Sequence, residues 1–279
     1  MKIKSTADIS IETLNDMIAD SREFDIIVQD GANYPAGKKY DVFEMLDIKR
    51  EIKKFLKGCP KRDPSNPNSE KEIFTYIYTK LAYLVEYDSL AKDIKTDASK
   101  SFLMYSMDYL QESAGLNGAM CKRYALCSGF AEALRNLLAE KGIEAKYMSG
   151  RKKVVNNSLD EKGHAWNQVR LDGVWYNCDI THDRDFIISE RPAPCFLKSN
   201  YEFADYSKYP VDISPKIEGA TKSVPLEEQT RLINFYREIV LAELYEASLQ
   251  GKKKPGFIRT LLEKLGLKKQ SESEERHFE

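Results

Sequence analysis

The apolar residues Phe130, Ala133, Leu134, Leu137 and Leu138 recur at i, i+3, i+4, i+7 and i+8, and Gly142 follows them as a stop. That is one buried stripe at helical period between Gly129 and Lys141. It constrains the fold more than any other stretch, because a helix with one apolar face must lay it on another layer. Cys127 falls at or just before the first turn. There the unpaired backbone N–H groups and the positive end of the helix dipole favour a thiolate over a thiol. Ser128 stands where a cap is expected, and Gly129 leaves room for another chain to approach Cys127 closely. A cysteine near a helix start is more often a small buried hydrophobe, so its chemistry rests on what lies downstream.

Downstream, Ile143 to Ser149 reads as a strand running into Gly150 to Lys153, and Val154 to Gly163 is polar and turn-rich. Two β-like runs, His164 to Arg170 and Val174 to Ile180, then flank Asp172-Gly173, a strong hairpin signal. With a two-residue turn Leu171 pairs with Val174, which sets Trp166 opposite Asp179 and His164 opposite Thr181. Side chains alternate, so His164 and Asp179 share one face, on a diagonal that long side chains span at roughly 7–8 Å. A carboxylate there holds the imidazole in one tautomer and stabilises its protonated form, while the other ring nitrogen faces a thiol. Asp183 lies on the other diagonal as a rival, and His182 has the opposite parity. A bulged turn would shift this register by one residue. Cys178 and His182 have metal-ligand chemistry but no second pair nearby, so zinc is not expected. Trp166 and Trp175 read as sheet packing, Trp166 also as a wall of the cleft.

These stretches resemble the transglutaminase-like superfamily of papain-type cysteine enzymes. The resemblance is carried by Cys127-Ser128-Gly129-Phe130-Ala131, by Gly142 to Gly150 as helix exit and strand, by Gly163-His164-Ala165-Trp166-Asn167-Gln168-Val169, and by Gly173 to Thr181 around Asp179. Tyr87-Asp88 looks like the end of the family's helix before the nucleophile loop, and the match covers about residues 69–185. It implies Cys127 as nucleophile, His164 as general base and Asp179 as the residue orienting it. Cys121, in Cys121-Lys122-Arg123-Tyr124-Ala125, is a competing thiol; the spacing to Gly142-Ile143 and the glycine two residues on favour Cys127. The oxyanion would be held by the backbone N–H of Cys127 and one more donor, for which a side chain from residues 105–124 is the candidate.

Elsewhere a short helix is expected around Ile11 to Ala19, a β-like run over Phe24 to Val28, and a helix over Asp41 to Leu56. Residues 61–69, with Pro64 and Pro67, read as a linker. Ser69 is a plausible cap for a helix burying Ile73, Tyr76, Ile77, Leu81, Leu84 and Val85. Residues 89–118 read as a long covering loop with one helical segment and a turn at Asn117-Gly118. Phe196 to Tyr209 is expected to pack on the core, and Pro210 to Pro225 to connect it to a helix over Leu226 to Leu249. That helix should bury Leu232, Ile233, Phe235, Tyr236, Ile239, Val240, Leu244 and Tyr245. Residues 257–269 are basic and amphipathic, a candidate for docking on a partner or a membrane surface, or for folding back on the domain.

At 279 residues and 42% hydrophobic the chain is able to bury a sizeable core, and its net charge of −1 predicts no broad attraction to nucleic acid or anionic membranes. Five widely spaced cysteines without a C-x-x-C pair fit free thiols in a reducing compartment. Residues 1–30 lack the apolar core of a secretory signal, and no run is long enough to span a bilayer, so a cytoplasmic location is expected.

The sequence therefore predicts an α+β, papain/transglutaminase-like core, in which the helix carrying Cys127 packs on an antiparallel sheet. Its divisions are an extension over residues 1–68, the core over 69–210, and a C-terminal helix with a basic tail over 211–279. The expected function is a cysteine-dependent enzyme cutting or transferring amide bonds of proteins or peptides, with Cys127, His164 and Asp179 as catalytic residues and no cofactor or metal. Hydrolysis is favoured; the alternatives are a protein-glutamine acyltransferase and an inactive interaction module of the same fold.

Overall fold

The computed structural model describes residues 42–96, 106–153, 159–207, 213–214 and 218–249. The elements run α1 (Val42–Phe55), α2 (Ser69–Leu84), β1 (Glu86–Tyr87), α3 (Ser89–Thr96), α4 (Ser106–Ala114), a π-helical turn (Gly118–Lys122) and β2 (Tyr124–Ala125). Then follow α5 (Cys127–Ala139), β3 (Ala145–Lys153), β4 (Leu159–Leu171), β5 (Val174–Cys178), α6 (Ile180–Ile188), α7 (Asn200–Ser207), β6 (Ile213–Ser214) and α8 (Leu226–Leu249). The expected elements over residues 11–28 and 257–269 lie outside the described residues.

The stripe on α5 is buried as its spacing requires. Phe130, Ala133, Leu134, Leu137 and Leu138 share one core with Ile73, Ile77 and Leu81 of α2 and with Val169, Leu171 and Tyr176 of the sheet. Gly142 ends the helix turn with φ +68, the left-handed conformation glycine takes without a Cβ clash. The sheet has the order β5-β4-β3-β6 and antiparallel pairing throughout. This is an α+β arrangement, with α5 laid on an antiparallel sheet as expected. α1 joins the same core through Ile48, Ile52 and Phe55, and α8 through Leu232, Ile233, Tyr236, Val240 and Leu244.

The hairpin has the expected register, Leu171 against Val174 through Asn167 against Cys178. Asp172 and Gly173 both have positive φ, 50 and 80, as a two-residue type I′ turn demands. Pairing stops at Cys178, however, and Asp179 does not continue the strand opposite Trp166. It caps α6, its side chain accepting from the His182 N–H at 3.2 Å. β4 also starts earlier than expected, at Leu159, and β6 supplies an edge strand from the stretch read as a connector.

Other expectations are corrected by local contacts. Ser69 is the first residue of α2 and not its cap; its hydroxyl accepts from the Asp63 N–H at 2.8 Å and closes the preceding loop. Among the described residues of 89–118 stand α3, α4 and the start of the π-helical turn, in place of a loop with one helical segment. Asp88 caps α3 by accepting from the Ala91 N–H at 2.8 Å, so a polar stretch winds into a helix with Ala91 buried. Asn117 is helical, with φ −63 and ψ −44. Gly118 is required by close approach, since a Cβ there would lie 2.9 Å from the Tyr124 carbonyl oxygen and closer still to that of Glu112. On α8, Phe235 and Tyr245 fall off the buried stripe and face solvent.

Candidate active site

Cys127 is the first residue of α5. The residue before it, Leu126, is extended (φ −80, ψ 174), and no side chain caps the helix, so Ser128 does not play that part. Instead the helix start is held from two sides. The Leu126 N–H donates to the Ser113 carbonyl at 2.8 Å. A Cβ on Gly129 would lie 2.7 Å from that same oxygen and 3.0 Å from the Gly115 carbonyl. The close approach foreseen at Gly129 is thus made by the end of α4. From the other side, β1 pairs in parallel with β2, Tyr87 against Ala125, and the Asp88 N–H donates to the Ala125 carbonyl at 3.0 Å. α2 ends at Leu84, so Tyr87 belongs to this strand pair and not to the helix end, and it stands beside the strand that leads into Cys127.

The half-buried Cys127 packs against Ala131, Tyr147 and Ala165. His164 reaches it from β4, where it pairs with Gly150 of β3. Its Nε2 lies 2.7 Å from Asp179 Oδ2, and the imidazole also hydrogen-bonds the Cys127 thiol. With Nε2 on the carboxylate, Nδ1 is the nitrogen left for sulfur. Trp166, two residues along the same face of β4, stacks on the imidazole with 6.4 Å between ring centres and 13° between planes. Phe203 of α7 packs on Trp166 in turn at 5.9 Å. Trp175 faces elsewhere, under the Lys146 ammonium at 4.8 Å.

Charge sets the state of the imidazole. Burial works against the imidazolium, but the charges of Asp179 and Cys127 and their hydrogen bonds outweigh it and lift His164 from 6.5 to about 10. The other four thiols are all raised. Burial pushes Cys121 up to about 11, with Glu51 and Asp47 adding to it, and Cys59 likewise to about 11. Cys178 and Cys195 are fully buried and lie well above the ordinary thiol range for the same reason.

Asp183, the rival carboxylate, and the His182 side chain are engaged elsewhere. Asp183 is fully buried and accepts from the Tyr78 hydroxyl and the Cys195 N–H, each at 2.8 Å. His182 is exposed and lies beside the Phe186 ring. Cys178 sits in the core with its Sγ towards the Asn167 carbonyl, so it does not converge with His182. Among the described residues no group of three or more His, Cys, Asp and Glu is arranged to hold a metal ion.

Tyr87 entered the sequence reading only as part of the resemblance, and its place beside Cys127 and Asp179 was not foreseen. It is half-buried, and burial together with the charges of Cys127, Asp88 and Asp179 raises its phenol to about 12. Nothing local in the sequence announces it, because a parallel bridge between residues far apart brings it to the site.

Residues 60–180 match the sequence profile of the transglutaminase-like superfamily, which is the resemblance carried by the Cys127, His164 and Asp179 motifs. Among solved structures, the chain is similar to one described as a crystal structure of a TGase. Identity there is 16%, with a TM-score of 0.33, over 61% of this chain and 37% of that one. It is also similar to a "putative cysteine protease" from Cytophaga hutchinsonii, with 19% identity and a TM-score of 0.32, over 58% of this chain and 47% of that one. The chain therefore spans less than half the length of either. No curated protein matches. The matched stretch, residues 60–180, holds Cys127, His164 and Asp179.

Proposed function

We propose that this chain is a cysteine-dependent enzyme acting on amide bonds of proteins or peptides through a thioester, with Cys127 as nucleophile, His164 as general acid and base, and Asp179 as its orienting carboxylate. The observation that carries the reading is the contact of one imidazole with both partners, Asp179 at 2.7 Å and the Cys127 thiol. The lifted His164 favours a thiolate–imidazolium pair at neutral pH.

The thiolate attacks the amide carbonyl carbon, the S–C bond forms, and the carbonyl electrons move onto oxygen. The backbone N–H of Cys127, at the first turn of α5, is one oxyanion donor in this reading. Tyr87 is the better candidate for the second donor than a side chain of residues 105–124. Held up to about 12, it keeps its proton throughout the working range. His164 gives its proton to the departing nitrogen as the C–N bond breaks. Water, deprotonated by the now neutral His164, then attacks the thioester and releases an acid and the thiol. An amine in place of water gives transfer instead; the same three side chains serve both, and hydrolysis is our reading.

The test is the alkylation rate of Cys127 against pH, followed by mass spectrometry on the reduced protein, for wild type and His164→Ala. Rapid alkylation of Cys127 well below the ordinary thiol pKa of about 8.5, lost in His164→Ala, is the expected result. Alkylation of Cys127 at the rate of Cys59 whatever stands at position 164 would sink the enzyme reading and leave an interaction module of the same fold.

A further inference from the structure

Apolar packing lays α5 on the sheet, but apolar contacts have no direction and do not fix where along the sheet the helix lies. Phe130, Leu134 and Leu137 of α5 share a core with Val169 and Leu171 of β4 in this way, and Ala131 packs with Ala165 beside Cys127. Asn167 of β4 adds a directed link. It is fully buried, and its side-chain nitrogen donates to the Ala131 carbonyl of α5 at 3.0 Å and to the Lys146 carbonyl of β3 at 3.1 Å. Both N–H donors of the amide are thereby used, which fixes the group against rotation as well as translation.

The oxygen of the same amide has no such place. Asn167 Oδ1 is buried and finds no donor among the described residues. Flipping the amide would not help, because the nitrogen's two neighbours are both carbonyl oxygens. A buried acceptor without a donor is penalised, and a leucine of the same branching would fill the space without that penalty. What the amide contributes here is therefore what its nitrogen holds.

Its nitrogen holds the two elements that bring sulfur and imidazole together. Ala131 follows Cys127 by four residues on α5, about 6 Å at 1.5 Å per residue. His164 precedes Asn167 by three residues on β4, about 10 Å at roughly 3.4 Å per residue. Between them the β3–β4 ladder is continuous, from Tyr147 against Asn167 to Gly150 against His164. A helix and a paired sheet are stiff over such lengths, so a slip of α5 at Ala131 reaches the thiol undiminished. A hydrogen bond tolerates only some tenths of an ångström of such slip.

Resting on the reading of Cys127 and His164 as a reacting pair, we propose that Asn167 is a positioning residue for them, its amide fixing α5 to β4 and β3 at the separation at which sulfur and imidazole meet. The test is the rate of Cys127 alkylation against pH, by mass spectrometry on the full chain, for wild type, His164→Ala, Asn167→Leu and Tyr78→Phe, with Cys59 as internal reference. Tyr78→Phe removes a buried hydroxyl that donates to Asp183, away from this link, and so controls for a general loosening of the core. In Asn167→Leu, alkylation of Cys127 near pH 6 is expected to fall about 10²-fold, as for a reacting group misplaced by about 1 Å. Its midpoint should move up towards the ordinary thiol value of about 8.5. Cys59 should react at its wild-type rate, and Tyr78→Phe should keep the wild-type profile. If Asn167→Leu does not fold, Asn167→Ser, with one donor on a shorter side chain, replaces it and should move the midpoint less in the same direction. A profile that superimposes on wild type, while His164→Ala loses the acid limb, overturns the proposal and leaves the reacting pair standing. Equal profiles for wild type and His164→Ala overturn both. An equal displacement in Tyr78→Phe overturns the positioning role as well, since any loosened core would then do the same.

Discussion

Asp179 and Asp183 lie one helical turn apart at the start of α6, and both are almost completely buried, yet their carboxyl groups meet different partners. Asp179 is offered an imidazole that can take a proton, together with the His182 N–H. Asp183 is offered only neutral donors, the Tyr78 phenol and the Cys195 N–H, and burial pushes it well above the usual carboxylate range despite both hydrogen bonds. Equal burial therefore leads to opposite uses. A carboxylate with a titratable partner lifts that partner and can serve chemistry, whereas one with neutral donors becomes a buried acid that fastens α2 and the 193–196 stretch to α6.

Substitution at each position should separate the two uses, and the largest effect is expected at Asp179. Asp179→Asn retains a capping side chain but removes the charge that holds His164. Cys127 alkylation near pH 6 should fall by about 10³-fold or more, with stability changed by about 1 kcal/mol or less. Asp183→Ala should do the reverse, costing about 3 kcal/mol in chemical denaturation while the folded fraction alkylates at close to the wild-type rate. A stable Asp183→Ala protein with an unreactive Cys127 would break the comparison, since Asp183 would then be acting on the thiol.

A smaller effect is expected in the pH dependence of stability. His164 is raised from 6.5 to about 10 in the folded chain. Below about 6.5 the imidazole is protonated in both folded and unfolded states, and its stabilisation is fully present. As pH rises the unfolded chain loses that proton first, so the contribution shrinks and is gone above about 10. Wild type should therefore lose stability between pH 7 and 10 more steeply than Asp179→Asn. Asp183, also raised, has the same sign, its contribution declining as pH rises from about 4 upward. Asp183→Asn should flatten the decline that starts near pH 4. Identical slopes for wild type and Asp179→Asn between pH 7 and 10 would remove the electrostatic distinction between the carboxylates.

The difference between the carboxylates also marks where the sequence was legible. Asp172-Gly173 specifies a turn by local sterics, and the register from Leu171 to Asn167 follows from it residue by residue. The shared face of His164 and Asp179 was legible for that reason, as was the thiol at the head of α5. Asp179 as a cap was not: Cys178-Asp179-Ile180 continues a β-like pattern, and the change to helix depends on α6 packing over α2, where Asp183 finds Tyr78. His164 Nε2 and Asp179 Oδ2 nonetheless meet at 2.7 Å, with Asp179 carried just past the end of β5. Tyr87 and β6 were illegible for another reason. Each enters through a two-residue strand paired with a segment far away, too short for any period to announce.

The smallest effect sharpens the comparison most. Tyr78→Phe keeps the ring, which stacks on Phe74 at 5.1 Å and meets Phe196 at 5.5 Å, and removes only the hydroxyl that donates to Asp183. The expected cost is about 1 kcal/mol, that of one buried hydrogen bond whose acceptor keeps a second donor. Combined with Asp183→Asn, the two losses should couple by about 1 kcal/mol, since both alter one contact; combined with Asp179→Asn, they should add to within about 0.5 kcal/mol. Additivity in both cycles would mean that the Tyr78 hydroxyl contributes nothing through Asp183. Coupling in both would mean that the two carboxyl groups form one network, with α6 transmitting the state of one to the other.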